Sequence, residues 1–313
     1  MKYHQIDLSG LKTYSAKERQ SKAAITSSAA AYTKGSSFSE FIVSLPGFLA
    51  ASDIKAVASA VVRAREKGRP VVLGMGAHPI KVGLSPLIID LIDRQIVTAL
   101  ACNGACIIHD FEMAFMGQTS EDVAAELGNG SFGMAKETGQ ILNRAINEGV
   151  ASGAGIGTSI GRFIDSSGFE FCEKSIFRAG FRKDIPMSVH VALGADIIHM
   201  HKEADGAAIG EGSLRDFRLF ASVVADLEAG VYINLGSAVI MPEVFLKALS
   251  VARNLGNRVD EFTTVNMDFI QHYRPRENVL KRPTLNSGKS YALTGHHELM
   301  LPLLCAMIIE KTA

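Results

Sequence analysis

The sequence carries no net charge: 32 lysines and arginines stand against 32 aspartates and glutamates. A balanced surface offers no field for a polyanion, so nucleic acid and anionic membranes are not expected as partners. There is no apolar run long enough to span a bilayer. The opening MKYHQIDLSGLKTYSAKERQ also lacks the apolar centre of a signal peptide. The expectation is a soluble, cytoplasmic protein. Cysteine is scarce, and Cys102, Cys106, Cys172 and Cys305 are too scattered for a disulfide framework. Cys102 and Cys106 would make half a zinc site with no second half in the sequence, so no metal is expected. No low-complexity linker interrupts the 313 residues, which favours one large domain over two smaller ones.

What is present is organised around residues 71–112. Val71, Val72 and Leu73 form a short apolar run closed by Gly74, Gly76, Pro79, Gly83 and Pro86, the signature of a buried strand ending in a tight turn. Leu87, Ile88, Ile89, Leu91 and Ile92 then recur at helical spacing. Ile96 to Ala101 reads as a second buried strand, ended by Asn103-Gly104 before a helix-like stretch holding His109, Asp110 and Glu112. Two strands with a helix between them predict a parallel crossover. In open parallel sheets ligands sit beyond the carboxyl ends of the strands, which nominates Gly74 to Lys81 and Asn103 to Asp110.

The same plan recurs downstream. GVYINLGS (230–237) reads as a strand with Asn234 and Gly236, followed by a helix from Pro242 to Leu255. FTTVNM (262–267) is a further strand carrying Asn266. Pro186 to Val191 and Ala195 to Met200 read as strand pieces on either side of Leu193-Gly194, and His190, His199 and His201 as core or site-lining histidines. The basic stretch HYRPRENVLKR (272–282) reads as a solvated loop. Gly295-His296-His297-Glu298 opens a terminal helix whose polar start can face a site. GNGSFG (128–133) before a helix is either an anion cradle or a plain turn. ASGAGIGTSIG (151–161) has glycines but no preceding strand, so close helix packing is the better reading. Residues 1–40 are polar and rich in Ser, Lys and Ala, which predicts an N-terminal extension used for packing or subunit contact; residues 41–313 form the domain. At least four strand–helix repeats predict an α/β fold with a doubly wound parallel sheet, Rossmann-like but without GxGxxG.

GAHPIKVGLSPLIIDLIDRQIVTALACNGACIIHDFE, YINLGSAVIMPE, FTTVNMDF and RPRENVLKRP, with the ending LMLPLL, together resemble deoxyhypusine synthase and its homospermidine-synthase-like relatives over roughly residues 70–310. That family implies NAD binding without GxGxxG, a homotetramer with sites at dimer interfaces, and aminobutyl transfer from spermidine through an enzyme–lysine imine. The resemblance places Gly76, Ala77 and His78 in its first NAD-contacting loop and Asn103, Gly104 and Ala105 in its second, with Asn266 also at the cofactor. It makes Asp196 and Glu277 the acidic contacts of a polyamine. The family's catalytic lysine, however, falls on Pro283, and its paired histidines on Met241-Pro242-Glu243. Proline has no amine and forms no imine, so the transferase mechanism does not carry over as it stands. Lys281 or Lys289 would have to take the lysine's place.

CNGACIIHDFEMAFMG is also similar to the Asn-Ala-x-x-His-Asp-x-Glu stretch of archaeal-type NAD-dependent ornithine cyclodeaminases, whose reaction needs no lysine imine. Both resemblances imply hydride abstraction from an amine-bearing carbon by a bound nicotinamide. The expectation is an NAD-dependent enzyme, a transferase or a deaminating enzyme, on a polyamine, diamine or basic amino acid. Catalysis would use His109, Asp110 and Lys281, with His109 or His78 as the base. The alternative is a nucleotide-binding regulatory or structural homologue that has lost the chemistry. A homo-oligomer, dimer or tetramer, is expected in either case.

Overall fold

Val71–Met75 forms strand β1 and is buried along its whole length, as expected of a strand covered on both faces. In the computed structural model, which describes residues 2–312, β1 pairs in parallel with β2 (Ala99–Asn103) on one side and β4 (Val231–Leu235) on the other. Beyond β2 lies β3 (Met187–His190); beyond β4 lie β5 (Thr263–Asp268) and β6 (Lys289–Thr294). The six-stranded sheet has the order β3-β2-β1-β4-β5-β6, all parallel. The order reverses at β1 and β4, so the crevice of a doubly wound sheet opens between their carboxyl ends.

Helices cover both faces. Leu49–Glu66 and His297–Lys311 pack together on one side, and Gly206–Ala225 and Ile240–Asn254 on the other. The Tyr232 ring stacks on Phe245 at 3.9 Å. That ring also explains Gly74, because a Cβ there would lie 2.3 Å from the Tyr232 hydroxyl. Gly157 and Gly161, in the Ile156–Ser167 helix, lie so close to the Met187 and Phe177 carbonyls that a Cβ would be 2.5 and 2.6 Å away. The glycine run at 151–161 therefore serves helix packing.

Several sequence expectations need correcting. Ile96–Thr98 precede β2 as a buried turn, and β2 itself continues to Asn103. Ile197–Met200 is a short 3-10 helix, not a strand. The basic stretch 272–282 is not a loop: Tyr273–Pro275 runs into a π-helix over Arg276–Lys281 that buries Asn278, Val279 and Leu280. β6 is mostly exposed and shows no apolar run, which is why it gave no signal.

The chain divides into two compact units at the Phe48–Leu49 junction. The first is largely exposed and includes a 3-10 turn at Ile25–Ser27 and an α-helix, Phe38–Ser44, whose start is closed by a capping box between Ser37 and Glu40. The second contains the sheet and everything described below.

Candidate active site at the carboxyl edge of the sheet

β2 ends at Asn103, and the Gly104–Met116 helix starts at once, so its first turn lies at the carboxyl edge. One turn further along, His109 and Glu112 project from one side of this helix, as i,i+3 spacing requires. A cavity of about 150 Å³ opens there, lined by Lys81, Ala105, His109, Glu112, Glu121 and Asp196 among others. The segment after Gly117 turns back over it and brings in Thr119. The Thr119 hydroxyl donates to Glu112 Oε2 at 2.5 Å and lies 2.7 Å from His109 Nδ1, while the Thr138 hydroxyl donates to Glu112 Oε1 at 2.9 Å.

The charges in the cavity are uneven. Burial, with a smaller push from the Lys81 ammonium, lowers the His109 pKa to about 4, so the ring is neutral at pH 7. Burial raises Asp196 to about 6. Asp196 makes no ion pair among the described residues, and its Oδ2 occupies the space over Gly104, where a Cβ would lie 2.0 Å away. Gly104 thus makes room for the Asp196 carboxylate.

The structure puts the other candidate residues elsewhere. Asp110 points away from the cavity and is fully buried. It accepts from the Ser175 hydroxyl at 2.5 Å and the Ile176 amide at 2.7 Å, capping the Ile176–Arg182 helix. Burial outweighs these bonds and raises its pKa to about 6. Lys281 and Glu277 sit on the π-helix beside β5 and β6, in the other half of the sheet from His109. Lys281 is exposed, and Glu277 is already flanked by Lys281 at 3.7 Å and Arg276 at 3.8 Å. The GNGSFG loop is no anion cradle, because the Gly130, Ser131 and Phe132 amides donate to the Leu127 and Glu126 carbonyls of the preceding helix and that of Gly133 donates to Glu121 at 2.8 Å.

A second cluster occupies the β1–β4–β5 part of the same edge. Gly76, whose Cβ would meet the Gly236 carbonyl at 2.5 Å, lets the two turns touch. His78 Nδ1 lies 2.9 Å from Nδ1 of His297, which is buried and within 3.1 Å of the Met267 carbonyl through Nε2. Burial lowers the His297 pKa, so that ring is neutral, donates to Met267 through Nε2 and accepts from His78 through Nδ1. Ala77 starts the short His78–Lys81 helix. Asn266 is wholly engaged, accepting from Asn234 and donating to Gln271, each at 2.7 Å. It props Asn234, whose own Oδ1 is buried without a partner. Sequence reading placed His297 only in a polar helix start that can face a site, and it gave Asp268 no role. Asp268 was the more legible, standing at the end of the second strand of a strand–glycine turn–helix–strand unit, where a dinucleotide ribose is held.

NAD fits this second cluster. Gly236, Ser237, Asp268 and Asn234 Oδ1 supply a glycine turn, a hydroxyl, a carboxylate at the end of the next strand and a buried acceptor without a partner, in the strand order a dinucleotide site uses. Among the described residues no group of three or more His, Cys, Asp or Glu side chains is arranged to hold a metal ion.

A larger cavity, about 740 Å³, lies at the amino ends of β1, β2 and β3 beside Arg65, Arg69 and Lys183. Four helices, Leu49–Glu66, Ser85–Asp93, Ile176–Arg182 and Gly206–Ala225, finish next to it. Cations at helix C-termini complement the helix dipoles, and Arg69 and Lys183 are already paired with Asp226 and Asp93. That cavity is accounted for by the fold.

No family profile matches the chain, and no curated protein matches it by sequence. Solved structures do match. AgrE in ternary complex with ornithine and NAD+ superposes over 82% of this chain at 18% identity and a TM-score of 0.55. A candidate LOR/SDH protein from Methanococcus maripaludis S2 covers 95% of the chain at 14% identity and 0.55. A candidate deoxyhypusine synthase from Entamoeba histolytica covers 91% at 13% identity and 0.53. The chain spans 32% of AgrE, 75% of the Methanococcus protein and 97% of the Entamoeba protein. At these identities the likeness shows the fold: a single parallel six-stranded Rossmann-like sheet flanked by helices. No helix among the described residues is long and apolar enough to cross a membrane.

Proposed function

We propose that the chain is an NAD-dependent enzyme that abstracts hydride from the amine-bearing carbon of a basic amino acid, diamine or polyamine. One observation carries this reading: a neutral imidazole, His109, and an unpaired carboxylate, Asp196, line one small cavity at the carboxyl edge of the sheet. Asp196 is ionised above about pH 6 and holds the substrate ammonium. His109 receives the amine proton on Nε2 as the C–N bond gains double-bond character. Lys81, at the same cavity, faces the carboxylate of an amino acid substrate. Gly236, Ser237, Asp268, Asn234 and His78 would hold NAD, which supplies the hydride acceptor. The structure of AgrE with ornithine and NAD+ supports the pairing of a basic amino acid with this cofactor. Assembly into a dimer or tetramer belongs to the same reading, with exposed Phe269, Ile270, Tyr273 and Leu299 at the carboxyl edge as its contact surface.

The test is thermal denaturation with NAD, followed by absorbance of NADH with ornithine, putrescine and spermidine. Stabilisation by NAD and NADH formation with one amine are expected; no stabilisation by any nucleotide overturns the cofactor assignment. A second reading, a nucleotide-binding homologue without turnover, is favoured by Pro283. It is buried, and its carbonyl accepts from Arg253 Nη2 at 3.2 Å, so the position where the resembled family has its lysine is built into loop packing. Stabilisation by NAD with no NADH from any amine would select that reading.

A further inference from the structure

We infer that Thr119 is a positioning residue which fixes His109 in the tautomer presenting an unprotonated Nε2, and that it does so from the segment covering the cavity rather than from His109's own helix. The inference rests on the proposed role of His109 as base, but its structural part stands on hydrogen-bond accounting. A threonine hydroxyl has one proton. It points to Glu112 Oε2 at 2.5 Å, because two oxygens so close without a proton between them would repel. Glu112 is held for this contact by the Thr138 hydroxyl on its other oxygen. Thr119 Oγ1 can then only accept from His109 Nδ1 at 2.7 Å, so Nδ1 carries the ring proton. Nε2 has no partner among the described residues and keeps its lone pair. The charged groups around the ring are Glu112, 4.0 Å from Nδ1, and Lys81, Glu121 and Asp196 on the cavity wall.

The backbone on either side of Thr119 is unusual. Gly117 ends the helix in the left-handed conformation at φ 73°, and Ser120 repeats it at φ 79°, which a serine adopts only when its surroundings hold it there. Two anchors do so downstream: Glu121 takes the Gly133 amide, and Asp122 caps the Val123–Leu127 helix. The base is therefore assembled by a segment that must be seated, and unseating it leaves His109 free to change tautomer.

The test uses the full chain labelled with 15N and long-range 1H–15N correlation of the imidazole rings, His109 being assigned with His109→Gln. In the unsubstituted protein Nδ1 is expected to be protonated and Nε2 bare. Thr119→Ser should keep that pattern, and Thr119→Val should lose it. A protonated Nε2 in the unsubstituted protein overturns the inference, as does an unchanged pattern in Thr119→Val. If Thr119→Val does not fold, the unsubstituted and Thr119→Ser spectra still decide. With a turned-over amine, Thr119→Val should lower kcat by ~10-fold with KM for the amine little changed, and Thr119→Ser should restore it. Absence of turnover with every amine would defeat the proposed function while leaving the ring spectra to judge Thr119.

Discussion

The two halves of the sheet present opposite chemistry at the same edge. Beyond β2 and β3 lie cavity groups whose ionisation the fold has altered: His109 lowered to about 4 and Asp196 raised to about 6. Beyond β4 and β5 the polar groups are mostly uncharged, with Asn234 and Asn266 bonded to each other, Ser237, and a neutral His297. One strand–turn–helix plan thus yields one half suited to moving protons and another suited to holding a ligand through backbone and amides. The difference arises at the first residue after the strand. Gly104 gives its space to the Asp196 carboxylate, whereas Gly76 gives its space to the Gly236 backbone carbonyl.

This contrast is broken most severely at Gly76. A Cβ there would meet backbone 2.5 Å away, at the crossing point of both halves, and backbone cannot swing aside. Gly76→Ala is expected to cost about 3 kcal/mol, the upper range for overpacking. At ~2–4 °C per kcal/mol for a domain of this size, the Tm should fall by roughly 6–12 °C. Gly104→Ala meets side chains alone, the Asp196 carboxylate, which can rotate, and Val191 Cγ1 at 3.2 Å. It should lower the Tm by much less while weakening amine binding. Equal losses of stability in the two variants would show that the crossing of the β1 and β4 turns is no tighter than the seat of Asp196.

The next effect is electrostatic. Asp196 must be ionised to hold an ammonium, and the ionised form is present above its pKa and lost as pH falls below it. Amine binding is therefore expected to decline as pH drops through about 6, while His109, lowered to about 4, takes no part in that decline. Asp196→Asn should weaken the amine by ~30-fold, about 2 kcal/mol for losing one partner of a partly buried charge pair. It should also flatten the dependence on pH, as measured by calorimetric titration between pH 5 and 8. An undiminished slope in the variant would assign the titration to another group.

How far these features could be read from the sequence depends on how local they are. β1, β2 and β4 were legible because a strand buried on both faces is a short apolar run closed by glycine or asparagine. His109 and Asp196 were named by resemblance, and the structure brings them to one cavity. Thr119 was not legible as a partner: ten residues separate it from His109, and the turn that joins them depends on φ at Ser120, which no pattern announces. Asp110 looked like a site residue beside His109. On a helix, though, neighbouring residues point about 100° apart, and that rotation sends Asp110 to the buried end of another helix. The pairing of His78 with His297 joins residues 219 positions apart, and only the order of the strands brings them together.

The smallest expected effect discriminates most finely among substrates. Lys81 is the cationic side chain on a cavity wall whose other charged groups are acidic, and it makes no ion pair among the described residues. Ornithine and putrescine differ by one carboxylate, so a lysine that meets that carboxylate favours ornithine and is neutral or repulsive toward putrescine. Because Lys81 is exposed, water screens the contact, and its contribution should be near the upper end for surface pairs, about 0.7–1 kcal/mol. Lys81→Gln is then expected to weaken ornithine by ~3–5-fold and leave putrescine unchanged or slightly tighter. Competitive titration of both ligands at pH 7.5 and low salt measures the ratio. A parallel loss for both would mean that Lys81 supports the cavity wall without reading the carboxylate, and the two amines would then be separated elsewhere on the β1–β2–β3 side.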